Sequence, residues 1–465
     1  MKSKKFKIFI IIVLTTMMFG NVFVNNTLFG ENTVHAEDTN AAVTYDQEAG
    51  GYKYAVIEHY DDQWPDEFPL DLRYEGLADY PVWPHYLVNI DGNRQRVYQA
   101  PSLDAKGIDS LFYGERCKAL ELIETEFGER WYVFVTKIEG QDYVAYIPVE
   151  SVVKREIRLA EMDKHIDTLI GMNAIGPVVF VENYKHVNGI PPELPSGEYY
   201  DPWGNRRGQS APGYFSMSLN SEFRYIPDGT LCVIEEIVDI TDIKDSDIVF
   251  NSMGEYLPAS GGAGSINSSN QSAESIQRAL EAYNENSTPF MTKVYVPSFG
   301  ISLWVESVYF DMNKVMQGGF GQAIVVDRKN QNIAVYEYNN GWKVISISYS
   351  TTGKSSETAV PTPLGYFMAL EKKDIFEYEG EDSGDVEGFA PYAIRFSGGG
   401  YLHGVPMLYE FDEKGKKKPV YNYTEFIRSI GTVPESHMCV RNFTSHAKFM
   451  YDWIAMGSCA VIVFE

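Results

Sequence analysis

At 465 residues the chain is too long for one ordinary hydrophobic core and divides into two to four domains. Its 39 Lys and Arg against 64 Asp and Glu leave a net charge of −25, which argues against nucleic acid as a partner, because such a surface repels a polyanion. Four cysteines, Cys117, Cys232, Cys439 and Cys459, are too few for a disulfide framework in a chain of this length.

The first elements concern export. Met1-Lys2-Ser3-Lys4-Lys5-Phe6-Lys7, followed by the apolar run 8–20, reads as a basic region and a hydrophobic region, and Val34-His35-Ala36 resembles a small-residue cleavage site. Residues 1–36 are therefore expected to be a signal peptide, and the mature protein to be secreted. Because 8–24 approaches the length of a membrane span, an uncleaved anchor is the alternative, and it would be the chain's only membrane contact. Residues 37–80 are aromatic and acidic without a clear period and receive no assignment.

Between 81 and 157, β-rich runs at 87–90, 96–98, 117–123, 131–138 and 143–147 are separated by turn signals. A small barrel buries strands of this length, and the order V-Y-Q-A-P-S, Y-G-E-R-C-K-A-L, R-W-Y-V-F-V, D-Y-V-A-Y-I-P resembles a bacterial SH3-type module. A second such module is expected over 158–315, with 225–233, 292–296 and 303–309 echoing the same order and V-E-S-V recurring at 149–152 and 305–308. It is interrupted by a Gly/Ser/Asn-rich flexible loop at 260–272 and a helix at 273–283. Asp239, Asp242, Asp245 and Asp247 lack the glycine and the closing glutamate of a calcium loop and read as a solvated segment.

The last region, 318–465, carries the chemistry. Gln322-Ala323-Ile324-Val325-Val326 and Asn332-Ile333-Ala334-Val335-Tyr336 come first, and Ser350-Thr351-Thr352-Gly353 precedes Thr362-Pro363-Leu364-Gly365-Tyr366-Phe367. His403-Gly404 follows, then the charged stretch 410–419, and then Ser436-His437-Met438-Cys439-Val440-Arg441-Asn442. Ala447, Met450, Tyr451, Ile454 and Ala455 recur at i, i+3, i+4, i+7 and i+8, one face of a helix, which Gly457 stops before a strand at 460–464. With Asn442 or Thr444 as its cap, Cys439 would lie just before the helix N-terminus, where unpaired N–H groups lower a thiol pKa. The bland alternative for Cys439 is a disulfide with Cys459, although Cys459 borders an apolar strand and reads as an inert buried thiol. His446 is expected half-buried in the first helical turn, and Lys414, Lys416, Lys417 and Lys418 form a basic patch that is either a guide for an anionic polymer or an ordinary solvated hairpin tip.

These four ordered motifs resemble the L,D-transpeptidase catalytic domain (the YkuD family), whose pattern is His-Gly followed by Ser-His-Gly-Cys-(Ile/Val)-Arg. The resemblance implies a mainly β chain with a β-sandwich catalytic domain and a short helix, preceded by small SH3-like barrels. It also implies Cys439 as nucleophile and His403 as base, with the Gly404 carbonyl orienting the imidazole. The backbone N–H groups of Met438 and Cys439 would then be oxyanion donors within the Ser436-His437-Met438 loop, and Arg441 would hold a substrate carboxylate or brace that loop. His437 is a rival base, since on a strand it would point the same way as Cys439. The implied partners are peptidoglycan stem peptides and the wall polymer: a stem tetrapeptide gives up its terminal D-alanine and is passed to a second stem's amine, forming a 3,3 cross-link. No metal or organic cofactor is required. The chain departs from the pattern at Met438, where the family has glycine, and in the long interval from His403 to Cys439, whose excess is assigned to 410–419. An L,D-carboxypeptidase, a sortase and a wall-binding protein with a decayed catalytic domain are the alternatives. The Thr-Leu-x-Thr-Cys strand of sortases is missing.

Overall fold

The computed structural model describes residues 47–60, 64, 69–74, 81–182, 210–217, 221–239, 248–250, 256–258, 290–316, 318–356, 359–379, 386–414, 416–419 and 429–465. The expected signal peptide, the loop at 260–272, the helix at 273–283 and Asp242, Asp245 and Asp247 lie outside them. Among the described residues the chain is mainly β, with two α-helices, and neither is long and apolar enough to cross a membrane.

The first sheet has nine strands: β1 (Gln47–Ala49), β2 (Tyr52–His59), β3 (His85–Val88), β4 (Gln95–Tyr98), β5 (Gly107–Leu111), β6 (Arg116–Thr125), β7 (Arg130–Ile138), β8 (Gln141–Pro148) and β9 (Val153–Glu156). They run β1-β2-β6-β7-β8-β4-β5, with β3 joining β6 to β9. Alternation sends Leu87, Val97, Ala119, Phe134, Ala145 and Ile147 into one core. Four of the five expected runs lie within strands, and the fifth, 87–90, overlaps β3 at Leu87 and Val88. Strands β5 and β9 were not anticipated, because Gly-Ile-Asp-Ser-Leu and Val-Lys-Arg-Glu are short and polar. The unassigned segment supplies the β1–β2 hairpin, closed by Gly50 and Gly51 at φ +59° and +88°, the sign that a two-residue hairpin turn demands.

A helix over Leu159–Ile175 follows, inside the span expected to be a second barrel. Leu159, Met162, Ile166, Leu169 and Met172 are its buried stripe. The second sheet comprises β10 (Val178–Phe180), β11 (Ser210–Tyr214), β12 (Phe223–Pro227), β13 (Leu231–Asp239), β16 (Phe290–Val296) and β17 (Ile301–Glu306), while β14 (Ile248–Phe250) pairs only with β15 (Tyr256–Pro258). Both copies of V-E-S-V sit where a strand turns into a 3-10 helix, Val149–Ser151 and Ser307–Tyr309.

The third sheet has eleven strands: β18 (Gln322–Asp327), β19 (Asn332–Tyr338), β20 (Trp342–Thr351), β21 (Gly365–Met368), β22 (Glu371–Glu379), β23 (Val386–Ser397), β24 (Gly400–His403), β25 (Met407–Phe411), β26 (Lys417–Pro419), β27 (Val440–Asn442) and β28 (Cys459–Phe464). Their order is β21-β28-β18-β19-β20-β27-β24-β23-β25-β26, with β22 also on β23. Strand β20 belongs to both halves, pairing with β19 along most of its length and with β27 at Ser350 and Thr351. One core gathers Ile324, Val326, Val335 and Val461 from the first half with Ile394, Phe396, Leu402 and Val440 from the second. The halves therefore pack as a sandwich. The opposite face of the first half, with Val325, Ala334, Tyr336 and Ile462, buries against the Leu159–Ile175 helix and against Tyr86 and Val88 of β3. Burial on both faces is why β18 and β28 are apolar without alternation.

Candidate active site

Two facts of backbone geometry assemble the site. Strand β24 lies parallel to β27 with Leu402 opposite Val440 and His403 opposite Arg441. Residues opposite one another share a face, and successive residues alternate faces. Leu402 and Val440 point into the sandwich core, so His403 and Arg441, and one step back Tyr401 and Cys439, occupy the other face. Ala393, Tyr401 and Cys439 pack together there with Phe376. The Phe376 ring stacks on Tyr401 at 4.4 Å and lies 6.2 Å from His403.

His403 is 3% exposed, and its Nδ1 donates to the Gly404 carbonyl at 2.6 Å. A carbonyl only accepts, so Nδ1 carries the proton and Nε2 is left as the acceptor, the form a general base needs. Burial pushes the imidazole down to about 4; the Gly404 bond opposes this and the Arg441 charge adds to it. Cys439, at 8% exposure, donates weakly from Sγ to the Gly399 carbonyl at 3.8 Å. Burial raises its thiol to about 11, against a hydrogen bond from the Tyr401 backbone and the Arg441 charge.

The expected helix-terminus effect on Cys439 is thus overturned. The final helix spans Thr444–Trp453 with Phe443 as its cap residue and no side-chain cap, and all of β27 separates it from the sulfur. Asn442 Nδ2 donates instead to the Val440 carbonyl at 3.0 Å, and Thr444 Oγ1 accepts from the Val405 amide at 3.1 Å. Desolvation decides the sign, and the thiol and the imidazole that share this face are both neutral at rest.

Met438 holds φ +85°, a left-handed angle that favours glycine. Thr362 Oγ1 accepts from the Gly353 amide at 2.7 Å and donates to the Met438 carbonyl at 2.8 Å, which clamps the peptide after Met438. Gly353 is required here, since a Cβ on it would lie 2.6 Å from the Met438 nitrogen. The Met438 side chain is buried and rests over Gly400, whose absent Cβ would sit 3.1 Å from its Cγ and Sδ. Ser436, also buried, donates from Oγ to the Cys439 carbonyl. The left-handed residue breaks strand alternation, so His437 is exposed while Cys439 is buried. The premise that both point the same way does not hold, and His437 loses its claim as base.

Arg441 is half-buried and interacts electrostatically with Cys439, Glu435 and Tyr378; burial lowers its pKa. His446 is fully buried rather than half-buried, with Nε2 2.6 Å from Ser346 Oγ, and desolvation pushes it down to about 3. All four cysteines are free thiols, so the Cys439–Cys459 bridge is not formed. Within 410–419, β25 and β26 pair antiparallel, with Lys414 and Lys416 exposed and Lys417 Nζ 3.3 Å from Glu377.

Three residues of this face went unnoticed in the sequence: Tyr401, Phe376 and Glu435. Only the first carried a signal, two places before His403 on a strand. Thr362 was visible as part of a motif, but its bond to Met438 was not.

Residues 321–463 match the family model of the L,D-transpeptidase catalytic domain, YkuD. Among solved structures, an L,D-transpeptidase from Mycobacterium smegmatis is 18% identical over 38% of this chain and 67% of its own, with a TM-score of 0.25. One from Mycobacterium tuberculosis is 18% identical over 38% and 66%, TM-score 0.23, and one from Xylanimonas cellulosilytica 17% over 32% and 63%, TM-score 0.21. No curated protein matches the chain.

Proposed function

We propose that this chain is an exported peptidoglycan L,D-transpeptidase that forms 3,3 cross-links through a thioacyl enzyme on Cys439. The observation that carries the reading is the parallel β24–β27 ladder, which puts a free thiol and a correctly tautomerised imidazole on one face of one sheet. The match of 321–463 to the catalytic-domain model supplies the substrate class.

In this mechanism Cys439 Sγ attacks the carbonyl of the stem's last peptide bond while His403 Nε2 takes the thiol proton. The carbonyl oxygen becomes an oxyanion next to the backbone N–H groups of Met438 and Cys439. His403 returns its proton to the departing amine, D-alanine leaves, and a thioester remains. The acceptor stem's amine then attacks the thioester, His403 takes a proton from that amine, and the thiol leaves with a proton restored. Because the resting pair is neutral, proton transfer accompanies attack instead of preceding it. Arg441 places a fixed positive charge beside the reacting sulfur. The glycine-like angle held at Met438 speaks against a decayed catalytic loop. We assign residues 1–36 to export, the mature protein to the cell wall, and the two N-terminal sheets to SH3-like modules.

The test is incubation of the purified ectodomain with disaccharide tetrapeptide, with products read by mass spectrometry. A cross-linked dimer supports transfer, and tripeptide alone indicates the carboxypeptidase. Unchanged substrate rejects catalysis. Cys439→Ala and His403→Ala must each remove the product.

A further inference from the structure

The loop 429–438, which delivers the nucleophile to β27, is gripped from two sides. On one side is its own sheet: the Gly431 amide donates to the Ser350 carbonyl at 3.1 Å, the Glu435 amide to Thr352 at 2.9 Å, and the Lys354 amide to Ser436 at 2.9 Å. On the other side is the first sheet, far earlier in the chain. The Tyr113 hydroxyl donates to Glu435 Oε1 at 2.7 Å. Arg116 Nη1 donates to the Ile430 carbonyl, and the guanidinium stands over the Tyr349 ring at 5.2 Å and the Phe443 ring at 5.7 Å. The Tyr86 hydroxyl reaches the Gly431 carbonyl at 3.5 Å.

The turn that presents Tyr113 is itself built to hold a position. Its Glu115 amide donates to the Phe112 carbonyl at 3.0 Å, the Gly114 amide to the Asn89 carbonyl at 2.8 Å, and Gly114 sits at φ +75°. The Glu115 carboxylate accepts from the Phe112 amide at 2.7 Å. These bonds, with glycine at the left-handed angle, hold the turn in one shape. It fixes a phenol against the one carboxylate, Glu435, that also acts electrostatically on Arg441, and Arg441 in turn stands beside the thiol.

We propose that the first sheet is a working part of the active site, in which Tyr113 and Arg116 are positioning residues that set the loop 429–438 and, through Glu435 and Arg441, the charge facing the nucleophile. The proposal rests on reading Cys439 as that nucleophile. It has a consequence for substrates: the catalytic sheet without residues 81–157 keeps Cys439 and His403 but not the geometry that aligns them on a stem peptide. A small displacement of a nucleophile lowers the rate strongly without weakening ground-state binding.

The test uses the full ectodomain carrying Tyr113→Phe or Arg116→Met, with Phe127→Ser, 74% exposed in another turn of the same sheet, as control. Turnover of disaccharide tetrapeptide is resolved into kcat and KM, and hydrogen exchange of 429–438 is followed by mass spectrometry. The expected result is a loss of at least fivefold in kcat with KM within twofold, and at least threefold faster exchange confined to 429–438, for both substitutions and not for the control. Unchanged kcat and unchanged loop exchange in Tyr113→Phe overturn the proposal, even if Arg116→Met fails to fold, because Tyr113 is 37% exposed and the substitution removes only a hydroxyl. Should wild type show no turnover, the functional reading falls, and loop exchange alone still decides whether the first sheet sets the loop.

Discussion

The resting ionisation of Cys439 is the sharpest consequence of the site. A thiol held as the thiolate of a thiolate–imidazolium pair would be alkylated at a rate that levels off above mildly acidic pH. Here burial holds the thiol at about 11 and the imidazole at about 4, so at neutral pH both are uncharged. The thiolate fraction at pH 7 is then about 1 in 10,000, roughly three hundredfold less than for a thiol at its ordinary value of about 8.5. The perturbation is a pH series from 6 to 11 with iodoacetamide, the adduct on Cys439 being quantified by peptide mass spectrometry. The logarithm of the rate is expected to rise about one unit per pH unit, without a plateau until near pH 11. Arg441→Gln removes a charge that favours the thiolate, so it should slow alkylation at every pH below the midpoint. A plateau already present at pH 7, or an Arg441→Gln variant that alkylates faster, would refute the reasoning and put an ion pair in the resting site.

Other outcomes follow from the same geometry. In Met438→Gly, relief of the left-handed angle returns roughly 1–2 kcal/mol, but loss of a buried methionine removes about 2–5 kcal/mol; urea denaturation should show net destabilisation, and a more stable variant would mean that the side chain does not pack on Gly400. His403 and His446 both have folded values, about 4 and about 3, below the usual 6.5. Their contribution to stability is therefore complete above pH 6.5 and is lost as pH falls through those values, with His446 alone worth about 5 kcal/mol in the acid limit. Urea midpoints measured from pH 7 to 3 should drop steeply in wild type and less steeply in His446→Gln. Asp327 is fully buried and accepts from Arg158 Nε and Nη2 at 2.8 and 3.0 Å and from the Asn330 amide and side chain at 2.9 and 3.0 Å. Asp327→Ala leaves these donors unpaired and should reduce stability by about 3–5 kcal/mol in urea titrations.

Much of this protein was legible in its residues. β-rich or apolar runs bounded by turn signals foretold strands in all three sheets, and the i, i+3, i+4 spacing around Met450 foretold the last helix. The Leu159–Ile175 helix carried a comparable stripe, yet the barrel pattern expected over the same span concealed it. Strands β5 and β9 were hidden for a different reason: their partners, not their polar side chains, hold them in the sheet.

The identities and order of His403, Cys439 and Arg441, and the strand-forming character around them, are local properties that the amino-acid sequence determined by itself. That His403 and Cys439 share a face was decided only when β24 and β27 paired, because register is a relation between two segments and neither contains it. The sign of the thiol's shift was decided the same way. Sequence spacing pointed to a helix terminus and an acidic thiol, whereas packing by Tyr401, Phe376 and Ala393 excluded water and made ionisation unfavourable. Desolvation depends on every neighbour at once, and most of the neighbours of Cys439 come from strands that folding alone brings to it.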